Sequence, residues 1–216
     1  MRRMLLVVLL AVAVVAGLIV WVLASSDEEK PQANPGPSAP PSAEPTTSSP
    51  TPKRAVRPGC PTRAARAFVP RLISVPGSIG PTTVIAPPRD AAGIPGIPPL
   101  SSAGKYVFAW DREQGISPGN PRGNVLLNAH TWPDGSALGN RLLASLDRGD
   151  RIRVRGANSQ LCYRVTERVE VLAADGLPRY YAKDGSPQLA IVVCSGRRLG
   201  PGVWEKRTIW FASPRA

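Results

Sequence analysis

The sequence predicts an all-β domain, a closed barrel of about eight strands with one or two short helices, behind an N-terminal transmembrane helix and a disordered linker. Three observations point there. From residue 67 on, short runs rich in Val, Ile and Leu alternate with Gly, Pro, Asn and Asp, the strand-and-turn punctuation of a barrel or sandwich. No long helical period interrupts them. About 150 residues in eight or so strands are enough to close a barrel around a solid core.

The N-terminal segment, residues 1–25, contains the uncharged run MLLVVLLAVAVVAGLIVWVLA at 4–24. A bilayer is spanned by a helix of about 20 apolar residues. Arg2 and Arg3 precede the run, and Asp27, Glu28 and Glu29 follow it. The positive-inside bias then puts the N-terminus in the cytoplasm and the rest of the chain outside the cell membrane, as a single-pass protein. A cleaved signal peptide ending near Ala24 is the alternative, although its apolar core would be unusually long. Either reading exports the remainder of the chain. Residues 26–60 come next, with nine prolines between 31 and 58 and many Ser and Thr. Such a stretch buries too little apolar surface to fold and reads as an extended extracellular spacer.

Residues 61–216 form the predicted domain. The strand-like runs are FVPRLISV, TTVIAP, KYVFAW, NVLLNAH, DRIRVRG, CYRVTERVEVL, QLAIVVC and RTIWFAS. DRIRVRG alternates Ile152 and Val154 with arginines, so one face is wet. AIVVC is apolar on both faces and belongs in the middle of a sheet. ALGNRLLASLDRGD is the helical exception. It places Leu138, Leu142, Leu143 and Leu146 on one side, with Gly149 positioned to stop the helix.

The domain holds 21 of the 27 basic and 11 of the 15 acidic side chains, so the excess positive charge is its own. That charge is either a solvated surface or an attraction to envelope polyanions. No nucleic-acid motif is present, and nucleic acid is not an expected partner. Three cysteines in an exported chain suggest one pair and one free thiol. A Cys60–Cys162 bridge would pin the start of the domain and leave Cys194 free; Cys162 as a small buried hydrophobe is the other reading.

Cys194 ends an apolar run, either for packing or to hold a thiol at the rim of a sheet. A thiol becomes a useful nucleophile beside a base or a cation. The chain has one histidine, His130, so a Cys–His enzyme has no other partner to use. His130 ends its own strand-like run, 64 residues before Cys194. Arg207 lies 13 residues after Cys194, where a hairpin would bring it beside the thiol to stabilise an oxyanion. A metal site is not expected, because one His, scattered cysteines and unclustered carboxylates make no zinc set. No G-x-S-x-G is present for a serine triad.

Taken in order, these segments resemble the sortases, the cysteine transpeptidases of Gram-positive cell surfaces. NVLLNAHTW resembles the segment that ends in the catalytic His. LGNRLLASLDRGDRIRV resembles the turn and strand after it. AIVVC stands where the family has T-L-x-T-C, and KRTIWFAS where it has the strand with the catalytic Arg. SVPGSIGPTTVIAP and AWDREQGISPGNPRGN look most like the actinobacterial class F group. The resemblance implies that Cys194 is the nucleophile, His130 the general acid, and Arg207 the substrate and oxyanion clamp. It implies cleavage of an LPxTG-like sorting signal between Thr and Gly through a thioacyl enzyme, without a cofactor. The acyl group would pass to an amine of a peptidoglycan precursor or a surface-protein lysine. Strand parity puts Val192 on the face of Cys194 and Ile209 on the face of Arg207. With Trp204 they would line an apolar channel for the signal; ordinary core packing is the alternative.

One departure stands out. The family's Thr before the Cys is Val193 here, which removes a hydroxyl expected near the thioacyl. Two other functions compete. One is a catalytically weak or silent, membrane-tethered envelope-binding domain. The other is an L,D-transpeptidase, whose His and Cys lie close in sequence, unlike His130 and Cys194.

Overall fold

The computed structural model describes residues 59–215. The apolar run at 4–24 and the linker up to residue 58 lie outside the described residues. Among those described, no helix is long and apolar enough to cross a membrane.

Eight strands close into a barrel: β1 (Leu72–Val75), β2 (Ile79–Ile85), β3 (Phe108–Trp110), β4 (Asn124–Ala129), β5 (Arg151–Arg155), β6 (Gln160–Leu172), β7 (Gln188–Gly200) and β8 (Val203–Pro214). Around the ring the order is β1-β2-β3-β4-β7-β8-β6-β5. The pairs β2–β3 and β4–β7 are parallel, and the others are antiparallel. A single α-helix, α1 (Leu138–Ser145), and three 3-10 turns complete the described structure.

Strand alternation sorts the side chains into two layers. On β7, Leu189, Ile191 and Val193 point into the barrel. They meet Val125 and Leu127 of β4, Trp210 of β8, and Leu138, Leu142 and Leu146 from α1 and its C-terminal end. The Trp210 indole N–H donates to the Leu146 carbonyl at 2.8 Å, tying the helix end to the core. The even-numbered residues of β7 face outward, yet they are not all wet. Ala190 joins Leu126, Ile209, Phe211 and Tyr180 in a second apolar cluster, with Val192, Val169 and Val171 packed against it. The 3-10 turn Pro178–Tyr181 covers this outer layer, and the Tyr180 hydroxyl donates to the Leu127 carbonyl at 3.1 Å. β7 is therefore apolar on both faces because each face has its own cluster.

Two boundaries differ from the sequence reading. The helix ends at Ser145, because Leu146 already has an extended backbone (φ −105, ψ 109). Gly149, at φ +98, serves the turn into β5 instead. β7 does not end at Cys194. Its ladder with β8 continues to Gly200 through register shifts around Ser195 and Arg198, with Gly196 at φ +73. Backbone pairing carries on although the side chains after Ser195 turn polar and exposed.

A disulfide joins Cys60 to Cys162 on β6, across a sequence separation of 102 residues, with Cα atoms 5.7 Å apart. Cys194 is the free thiol.

Candidate active site

Two ladders bring the three candidate residues together. In the parallel pair β4–β7, Ala129 stands opposite Val193. The next residue on each strand is His130 and Cys194, so imidazole and thiol emerge side by side. In the antiparallel pair β7–β8, Cys194 stands opposite Arg207. All three follow the outward parity: Asn128 before His130, Val192 before Cys194, and Ile209 after Arg207. The constellation is therefore fixed by hydrogen-bonded strands, which hold side chains more closely than loops do.

His130, Cys194 and Arg207 line one cleft of about 590 Å³. Its floor is the outer apolar cluster. Val192 and Ile209 are directly paired across β7–β8 and line the cleft, as does Trp204. None of the three points into the barrel core. Leu177, Tyr180 and Val171 extend the apolar wall away from the thiol.

Burial pushes the Cys194 thiol above its ordinary value, because the charged thiolate is desolvated; the Arg207 guanidinium opposes this. Arg207 itself is held by its own strand end, donating from one guanidinium nitrogen to the carbonyls of Trp204 (3.3 Å) and Lys206 (3.0 Å). That leaves its other nitrogens for an incoming oxygen.

The segment after His130 is locked to the site. The Thr131 hydroxyl donates to the Cys194 carbonyl at 2.6 Å, and the Gly139 N–H donates to the His130 carbonyl at 2.7 Å. A Cβ at Gly139 would run into that carbonyl and the Thr131 hydroxyl, so the start of α1 approaches only because it is glycine. Trp132 forms part of the cleft and lies under the Lys105 ammonium at 4.3 Å. Lys105 in turn binds Asp134 at 2.7 Å and holds that carboxyl down to about 2.

Val193 is fully buried in the barrel core, so its side chain faces away from the cleft. Hydroxyl groups lie close by on other positions. Thr131 reaches the Cys194 carbonyl, and the buried pair Thr208–Ser195, 2.8 Å apart, sits beneath the Cys194–Arg207 rung. Sequence reading missed Thr131, Asn128 and the segment 94–100. Thr131 carried a signal in being adjacent to His130; the others depend on contacts between distant parts of the chain. Among the described residues, no three His, Cys, Asp or Glu side chains cluster as a metal site.

No protein-family model matches the sequence, and no curated protein matches it. Solved structures do match. Sortase C1 from Streptococcus agalactiae is 17% identical, with a TM-score of 0.50 over 66% of this chain and 65% of that one. The same protein in its complex with MTSET is 14% identical, with a TM-score of 0.50 over 70% of each chain. A sortase C1 of GBS Pilus Island 1 is 15% identical, with a TM-score of 0.49 over 66% of this chain and 63% of that one. The match thus spans just under two thirds of two of these chains. At such identities the likeness is one of fold: an all-β closed barrel of eight strands with one helix, as in the sortases.

Proposed function

We propose that the chain is a membrane-anchored cysteine transpeptidase of the sortase type, most like class F, with its catalytic domain outside the cell. One observation carries this reading. Two independent ladders place the only histidine, the only free cysteine among the described residues, and Arg207 on adjacent strands of one apolar cleft. The Cys60–Cys162 disulfide supports an oxidising compartment, and the apolar run at 4–24 supports the anchor.

The chemistry follows from the groups present. An LPxTG-like signal lies along the Val192–Ile209 floor, with its scissile Thr–Gly carbonyl over Cys194. The Cys194 thiolate attacks that carbon, and Arg207 stabilises the oxyanion. Imidazolium at His130 then gives its proton to the leaving glycine amine as the C–N bond breaks, leaving a thioester. An amine from a peptidoglycan precursor or a surface-protein lysine attacks the thioester, loses its proton to His130, and releases the thiol. Burial favours the neutral thiol, so the reactive ion pair is a minority state of a coupled system.

The test is turnover of an LPxTG-type peptide in the presence of an amine, with peptide–amine product followed by chromatography. Wild type forms the product. His130→Ala and Arg207→Ala each lose about 10²-fold or more in kcat, the scale of losing an acid or an oxyanion donor. Near-normal turnover in either variant contradicts its role. No product across a panel of signals favours the silent envelope-binding domain.

A further inference from the structure

We propose that the backbone carbonyl of Pro98 orients His130: it holds the proton on Nε2 and so presents Nδ1 to the Cys194 thiol. The catalytic meaning of this contact rests on the transpeptidase reading above; the contact itself does not.

His130 Nε2 lies 2.7 Å from the Pro98 oxygen. A carbonyl oxygen only accepts, so Nε2 must carry the hydrogen. In the neutral ring this selects the Nε2–H tautomer, with a bare Nδ1. In the imidazolium both nitrogens are protonated and Nδ1 holds the transferable proton. Either way, Nδ1 is the nitrogen left for the thiol or the leaving amine. The second group on a catalytic histidine commonly fixes its tautomer and ring direction. Here a neutral backbone oxygen takes the place of a carboxylate, so it orients the ring without adding charge.

The oxygen is itself held in place. Pro98 belongs to the segment between β2 and β3, whose first fifteen residues, 86–100, are APPRDAAGIPGIPPL. Its first part is fastened by Arg89, whose guanidinium binds the buried Asp111 and also donates to Gln114. Asp90 then accepts from the Ala92 and Ile94 N–H groups. Asn128, on the strand that leads to His130, donates to the Gly96 carbonyl at 2.9 Å. A Cβ at Gly96 would strike the carbonyls of Pro87 and Pro88, and one at Gly104 would strike the carbonyl of Pro99. Both glycines let the segment pack close. Finally, the Pro98 ring fixes its φ, and Pro99 confines the preceding residue to extended ψ. The carbonyl direction is thus set by two consecutive prolines and three tethers.

The test uses the full chain in detergent micelles, carried on a tag without histidine and labelled with the heavy nitrogen isotope at histidine alone. One histidine gives two ring nitrogen signals by NMR, readable without substrate. Wild type at a pH where the ring is neutral is expected to show Nε2 protonated and Nδ1 bare. In Pro98→Gly/Pro99→Gly, and separately in Asn128→Ala, the tautomers should mix and kcat should fall about tenfold with KM changing less. Asn128→Ala serves if the double variant does not fold. A wild-type ring protonated on Nδ1, or unchanged tautomer and kcat in folded variants, would overturn the proposal. A fixed Nε2–H ring with no turnover of any signal would leave the contact standing and remove the transfer reading alone.

Discussion

Cys194 sits where two opposing influences meet. Burial disfavours its thiolate, and Arg207 across the rung favours it. The thiolate is the alkylated form, so a raised thiol must lose reactivity at neutral pH. The rate of iodoacetamide labelling should therefore rise with pH along a curve displaced above that of an ordinary cysteine. Arg207→Ala removes the opposing charge and should move the curve further up, while Arg207→Lys should largely restore it. A wild-type curve at or below the ordinary position would contradict this balance. The identities of these residues were legible in sequence because they are scarce: the chain has one histidine and three cysteines. The consequence of Val193 was not. Read beside Cys194 it looks like a lost hydroxyl, yet alternation buries its side chain in the barrel and leaves Thr131 to reach the Cys194 carbonyl.

At the scale of elements, hydrophobic runs locate the strands but not their ends. QLAIVVC marks the buried part of β7, whereas the ladder continues past exposed Gly196 and Leu199, because backbone pairing is indifferent to side-chain polarity. Leu138, Leu142 and Leu146 locate the helix but not its end, since the extended backbone at Leu146 breaks it before Gly149. The segment at 94–100 reads as a proline-rich loop, and only Asn128 and His130, about 30 residues on, give it a site role. The Cys60–Cys162 link fastens the entry of the domain to β6. Closing about 100 residues is worth roughly 4 kcal/mol in the chain-entropy account. Cys60→Ser/Cys162→Ser should lower the melting temperature of the domain by about 10 °C by calorimetry. An unchanged melting temperature would mean that the link constrains little.

At the scale of the molecule, composition and punctuation point to an all-β barrel, but not to its ring order. The parallel pairing of β4 with β7 spans the helix and two further strands, and no local pattern reports it. That pairing matters most to the site, because it carries His130 to Cys194. The second apolar layer was likewise only half legible: parity put Val192 and Ile209 with the site, while Tyr180 and its 3-10 turn came from a distant segment. The central claim is that this cleft forms a thioester on Cys194. The direct measurement is the intact mass of the protein after mixing with an LPxTG-type peptide, with Cys194→Ala alongside. The account predicts an added mass equal to the acyl half of the peptide, absent from the variant. An adduct that persists in Cys194→Ala, or none across varied signals, would contradict it.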